Sequence, residues 1–426
     1  MRHPVPMTTL WRHRYAQRTA NMKSSAIREL LKLTAQPGVI SFAGGLPAPE
    51  LFPINEVRDA AVRLLERAGP QALQYSTTEG YPPLRELLVR HMARYGIRVG
   101  IENVLITTGS QGALDLIGKV LINLGDKILT EAPTYLGAIQ AFRMYGAEFV
   151  TVPGDDNGLQ TKRLEEVLRA GPKFMYVLPN FQNPSGTTLM FERRVELIHL
   201  ADRYGIPIVE DDPYGQLRFE GEHIKSLVVI DAEHLRCDLN GHYTGNVIYL
   251  STFSKTLAPG LRLGWVVAPE EVIARMVQAK QGSDLHTSTF DQMLAYEVSR
   301  GGFMDRHVRR LREVYGRRRS LMLACLARAF PKAIGVRWTS PQGGLFLWVV
   351  LPETLDADQL LPEALAQKVA FVPGSAFHPL GGGANTMRLN FSNATDEMIE
   401  EGIARLGRVV TRHLEEAATP TAAGSV

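Results

Sequence analysis

Between Val104 and about Ala268, short apolar runs recur at Val104–Thr108, Lys127–Thr130, Phe149–Val152, Phe174–Leu178, Ile206–Glu210, Val247–Ser251 and Leu263–Ala268. They are too short for helices, so they predict strands. Stretches with helical periodicity lie between most of them, as at Gly112–Ile122, Leu164–Ala170 and Phe191–Tyr204. Strand and helix in alternation predict an α/β fold whose seven-stranded, mostly parallel sheet is covered on both faces. Only Thr252–Arg262 separates the last two strands. That is too little chain for a crossover helix, so the final strand is expected to be antiparallel.

Downstream the pattern changes. A long helical stretch, Phe303 to Phe330, leads into strands near Val336–Thr339, Leu345–Val350, Ala370–Val372 and Met387–Phe391, closed by a helix from Thr395 to about His413. This reads as a smaller α+β domain. Upstream, Ser24 to Leu33 has helical periodicity with a serine at its N-cap and a Pro37-Gly38 turn after it. The expected division is an N-terminal arm and helix (1–50), a large domain (51–300), a small domain (301–415) and a disordered Ala/Thr/Gly-rich tail (416–426). No internal repeat is visible.

Composition narrows the class. A 426-residue chain with 45% hydrophobic residues can bury a large core in two domains. A net charge of +3 gives no argument for nucleic acid or membrane as partner. The basic cluster Arg306–Arg312 with Arg317–Arg319 interleaves with apolar and acidic positions, as a solvated helix face does. Cys237 and Cys325 lie far apart and the eleven histidines form no zinc pattern, so no metal is expected and a reducing, cytoplasmic compartment is. The polar, Arg-rich start is not a secretory signal. No apolar run approaches the roughly 18–20 residues of a membrane span.

The candidate chemistry gathers at strand ends. After Val247–Leu250 comes Ser251-Thr-Phe-Ser-Lys255, then Pro259-Gly-Leu-Arg262. A lysine there sits at the C-terminal end of a strand, where open α/β sheets bind ligands. Thr252, Ser254 and Arg262 suit phosphate oxygens. Alone, the segment fits either a lysine in Schiff-base linkage to pyridoxal phosphate (PLP) or a solvated lysine on a polar turn. Three other strand ends weigh in. Asp211-Asp-Pro-Tyr214 offers a carboxylate for a protonated pyridine nitrogen and a phenol for the ring oxygen. Asn180-Phe-Gln-Asn183-Pro-Ser-Gly186 follows Phe174–Leu178, and Gly109-Ser110-Gln111 opens an apolar helix whose N-terminus favours an anion. The paired glycines of Phe42-Ala-Gly-Gly45-Leu-Pro47 fit either close approach to a ligand or an ordinary tight turn.

Over nearly its whole length the chain resembles the fold-type I PLP-dependent aminotransferases of class I/II. It is most similar to the branch of 2-aminoadipate and kynurenine/aminoadipate aminotransferases. The likeness rests on Ser41–Pro47, Gln74-Tyr75-Ser76, Gly109–Gln111, Ala132-Pro-Thr-Tyr135, Gln182-Asn-Pro184, Asp211–Tyr214, Ser254-Lys255 and Met387-Arg388. The resemblance implies that Lys255 carries PLP and shuttles protons, and that Asp211 keeps the pyridine nitrogen charged. It implies Asn183 and Tyr214 at the ring oxygen, Tyr135 stacked on the ring, and Ser110, Gln111, Thr252, Ser254 and Arg262 around the phosphate. Tyr75 would reach the phosphate of a neighbouring subunit, making a homodimer with shared active sites. Arg388 would fork onto the α-carboxylate of amino-acid and 2-oxo-acid substrates, beside Gly45 and Asn183. Arg28, on a mobile gating helix, would meet the distal carboxylate of a 2-aminoadipate or glutamate-type donor, as in lysine-pathway enzymes, with leucine-like or aromatic donors also accepted and 2-oxoglutarate as acceptor.

Two other readings share these residues. A PLP-binding transcriptional regulator needs a DNA-binding domain, and only about two dozen residues precede the Ser25 helix. A racemase, decarboxylase or lyase would use the same Lys255, Asp211 and Arg388.

Overall fold

The computed structural model describes residues 10–16, 18–19, 37–235, 242–331 and 335–418. The helix expected at Ser24–Leu33, with Arg28, and also Cys237 lie outside the described residues; of the N-terminal arm, Trp11–His13 forms a 3₁₀ turn.

Strand β1 (Ile40–Ser41) precedes the main sheet, which is built from β2 (Val104–Thr107), β3 (Lys127–Ala132), β4 (Glu148–Asp155), β5 (Gly158–Leu159), β6 (Phe174–Val177), β7 (Ile208–Asp211), β8 (Val247–Thr252) and β9 (Gly264–Val267). The order is β2-β9-β8-β7-β6-β3-β4-β5. The seven expected strands are present, and β9 runs antiparallel to both its neighbours, as the short Thr252–Arg262 connection requires. The eighth, β5, is a two-residue antiparallel return from β4, too short to stand out in the sequence. Side chains alternate between two cores. Val104, Ile106 and Ile208 face the helices Ile54–Ala72, Pro82–Ala93 and Phe191–Tyr204. Leu105, Val209 and Leu250 face Gly109–Leu121, Leu136–Arg143 and Glu270–Gln281. Both faces are therefore covered, which is why these strands read as apolar runs.

A second antiparallel sheet contains β10 (Arg337–Trp338), β11 (Phe346–Val350), β13 (Val372–Pro373) and β14 (Thr386–Asn390) in the order β10-β11-β14-β13. The single strand expected at Ala370–Val372 is instead two: β12 (Val369–Ala370) pairs in parallel with β1, while Val372 and Pro373 pair with β14. Phe371, fully buried, marks the switch between sheets. Ile40, Phe42 and Leu51 consequently pack in one core with the helices Phe303–Ala329 and Asp396–Ala418, so the end of the 1–50 segment belongs with the smaller domain's core. The closing helix continues through Ala418, correcting the expectation of a tail beginning at 416: Leu414 still packs on that core and holds the last turns helical.

Candidate active site

Five loops at the C-terminal end of the main sheet converge with β14 and the Phe42–Pro47 loop on one cavity. Its lining includes Gly45, Ser110, Gln111, Tyr135, Asn183, Asp211, Tyr214, Thr252, Ser254, Lys255, Arg262 and Arg388. Every predicted site residue except Tyr75 and Arg28 is thus brought together. Tyr75 is 78% exposed, its ring edge-on to His286 and away from this cavity. Arg28 lies outside the described residues.

Lys255 follows β8, and its Nζ donates to the Gly45 carbonyl at 2.7 Å. Burial, then the charges of Arg388 and Arg262, push its amine down to about 8. An unfolded lysine keeps its proton to about pH 10.4. The cost of burying the ammonium is fully present below the folded value and is relieved as pH rises toward the unfolded one. The cofactor-free protein should therefore gain stability with rising pH across that window, because the unfolded chain binds more protons there. Thermal unfolding of wild type and Lys255→Met as a function of pH checks this: the gain should be absent from the variant, and equal slopes would contradict it.

Asp211 ends β7 and is 2% exposed. Burial pushes its carboxyl up to about 7 against a lowering hydrogen bond from Tyr176, whose O–H donates to Oδ2 at 2.7 Å. Oδ1 is buried with no hydrogen-bond partner among the described residues. Beside it Tyr214 is buried edge-on to Phe346, and desolvation raises its phenol above the usual value.

The opposite end of the cavity is a cradle for an anion. The helix Gly109–Leu121 begins three residues earlier than its periodicity suggested, which puts Ser110 and Gln111 in its first turn. There unpaired backbone N–H groups and the helix dipole favour negative charge. Ser110 Oγ is buried without a hydrogen-bond partner among the described residues. Gly109 has φ +69, and a Cβ there would lie 2.7 Å from Arg262 Nη2. Only glycine lets that guanidinium close over the helix start. Arg262 is itself left-handed at φ 51, a strained setting of a kind that collects at functional sites. The Thr252 hydroxyl, on the cavity lining, lies 2.8 Å from the Leu263 carbonyl and 2.9 Å from Ser254 Oγ.

Arg388, on β14, is 1% exposed. Nη1 donates to Asn183 Oδ1 at 2.8 Å and Nη2 to the Ala43 carbonyl at 2.7 Å, while Nε has no partner. Its guanidinium carbon stands 4.2 Å from the Phe346 ring centroid and 5.0 Å from that of Phe377. Burial lowers its pKa to about 10. Among the described residues no carboxylate lies within ion-pair distance of it. A buried cation held by neutral groups is costly unless an anion joins it.

A group with a basic ring nitrogen at one end and a phosphate at the other fits this lining: Asp211 Oδ1 lacks a donor, and Ser110 Oγ with the helix start lacks an anion. Sequence reading missed Tyr176, Phe346 and Phe377, because aromatic residues in apolar strands and turns read as core. A tyrosine hydroxyl buried this deeply needs a partner, and that was the available signal.

A family model described as aminotransferase class I and II matches residues 38–406. The 2-aminoadipate transaminase of Thermus thermophilus is 47% identical over 401 residues, covering 94% of this chain and 97% of that protein. Aromatic-amino-acid aminotransferase 1 of Thermococcus litoralis is 45% identical over 409 residues, covering 94% and 95%. Among solved structures, the α-aminoadipate aminotransferase LysN of Thermus thermophilus, complexed with N-(5′-phosphopyridoxyl)-L-leucine, superposes with a TM-score of 0.88 at 44% identity, over 96% of this chain and all of that one. With these matches spanning both domains and the cavity between the strand ends, the chain belongs to the class I and II aminotransferases, PLP-dependent enzymes of fold type I.

Proposed function

We propose that this aminotransferase takes its amino group from 2-aminoadipate- and glutamate-type L-amino acids, accepts leucine-like and aromatic donors as well, and passes the group to a 2-oxo acid such as 2-oxoglutarate. The observation that carries the reading is Arg388, a buried guanidinium in the same cavity as Lys255 and Asp211 that has no carboxylate partner among the described residues. A planar fork of donors between two aromatic rings suits the carboxylate common to all amino and 2-oxo acids. Breadth is supported by relatives named for 2-aminoadipate and for aromatic amino acids, and by a neighbour that holds a phosphopyridoxyl-leucine.

PLP, when bound, supplies an electron sink for the charge left on the substrate Cα as its proton departs. In this reading Lys255 takes and returns that proton through Nζ, and an amine lowered to about 8 is suited to the task. Asp211 Oδ1 holds the proton on the ring nitrogen. Asn183, whose carbonyl oxygen accepts from Arg388, would offer its amide N–H to the ring oxygen together with the Tyr214 hydroxyl. Tyr135 would stack on the ring, and Ser110, Gln111, Thr252, Ser254 and Arg262 would hold the phosphate.

The second half of the proposal is a homodimer. Leu73 and Tyr75 are 74% and 78% exposed, and Ile54, Val62 and Leu65 on the preceding helix are exposed too. Such an apolar face needs a cover. Arg262 and Gln111 leave the anion end of the cavity open to solvent in one protomer, the side on which a neighbour's Tyr75 would close it.

The experiment is a panel of amino donors against 2-oxoglutarate with wild type and Arg28→Ala. The variant should lose kcat/KM roughly tenfold to a hundredfold for dicarboxylic donors, the range for one charged contact, while apolar donors keep theirs. Equal loss across the panel would make Arg28 a structural residue and remove the 2-aminoadipate preference.

A further inference from the structure

Tyr176 sits on β6, beside β7, with Tyr176 paired to Val209 two residues before Asp211. It is fully buried, its ring edge-on to Phe142 at 5.7 Å, and its hydroxyl donates a 2.7 Å hydrogen bond to Asp211 Oδ2. The two carboxylate oxygens are thereby made unlike: Oδ2 is pinned from within the sheet, and Oδ1, on a residue that lines the cavity, has no partner among the described residues.

We propose that Tyr176 is a positioning residue for the cofactor: its hydroxyl fixes the Asp211 carboxylate so that Oδ1 meets the ring nitrogen, and it draws off enough of the carboxylate's charge to keep the shared proton on that nitrogen. The inference rests on the PLP-binding reading of the cavity. A single proton lies between the two groups, either as carboxylate and pyridinium or as carboxylic acid and neutral pyridine. Burial, and then Asp212, favour the protonated acid, and the Tyr176 hydrogen bond opposes them. Tyr176 can do this at any working pH, because burial and the charge of Asp211, with smaller effects from Tyr135 and Glu131, raise its own phenol well above the ordinary value. It remains a donor and cannot compete for the proton.

Tyr176→Phe removes the hydroxyl and keeps the ring that packs on Phe142. With PLP labelled with ¹⁵N at the ring nitrogen, the nitrogen shift of the loaded variant should move from the protonated toward the unprotonated value. The PLP dissociation constant should rise roughly tenfold to a hundredfold, as expected for one lost hydrogen bond to a charged group. A fluorinated tyrosine at 176, of nearly the same volume and a stronger donor, is the second arm and should hold the nitrogen protonated and PLP bound at least as well as wild type. An unchanged nitrogen shift and affinity in the folded Phe variant would overturn the inference and leave Tyr176 as packing alone. A loss in the fluorinated protein equal to that in Phe would do the same. Wild type that took up no PLP would instead strike at the cofactor reading beneath it.

Discussion

Lys255→Ala is expected to lower the rate of transamination by roughly 10⁴-fold or more, with the chain still folded. A positioned proton-transfer group alone contributes up to about 10⁴-fold, and the covalent hold on the cofactor is lost with it. Among the described residues position 255 has no understudy: none of the others lining the cavity carries an amine. The other bases near it, Arg262 and Arg388, are guanidiniums, which do not give up a proton at working pH. The fold should survive because the deletion removes a charge that burial already disfavours. Single-turnover kinetics with a saturating donor measure the loss, and a variant that kept the parent rate would leave the site without a function.

The second large effect is at the other end of the ring. Asp211→Ala should reduce kcat roughly 10²- to 10³-fold, the range for removing one preorganised electrostatic partner of the developing charge. The proposed role makes a sharper forecast than a simple loss. If Asp211 acts by keeping the ring nitrogen charged, PLP methylated at that nitrogen, which is permanently cationic, should restore part of the lost rate in the variant and none in wild type. No restoration would mean that the carboxylate's work is orientation or packing. Tyr176→Phe should lie between wild type and this variant, since it weakens the same carboxylate without removing it.

Much of this site is legible in the sequence, for a definite reason. Parallel sheets place the ends of distant strands side by side, so polar residues after Val177, Asp211 and Thr252 had to meet once the strands were recognised. The short Thr252–Arg262 link also fixed the direction of β9. What escaped was set by contacts between segments with no sequence rhythm of their own. Phe371 turns the chain from one sheet to another, and nothing local distinguishes it from the middle of an apolar strand. Phe346 and Phe377 flank Arg388 from 42 and 11 positions away, and Ala43 meets it through a backbone carbonyl that any residue would offer.

The most direct test of the account is to reduce the PLP-loaded protein with borohydride, digest it and map the fixed cofactor mass. The whole label should lie on the peptide carrying Lys255, and the same treatment of Lys255→Ala should leave every peptide unmodified. Label on any other lysine, or an equal yield from the variant, would contradict the claim that this one amine holds the cofactor.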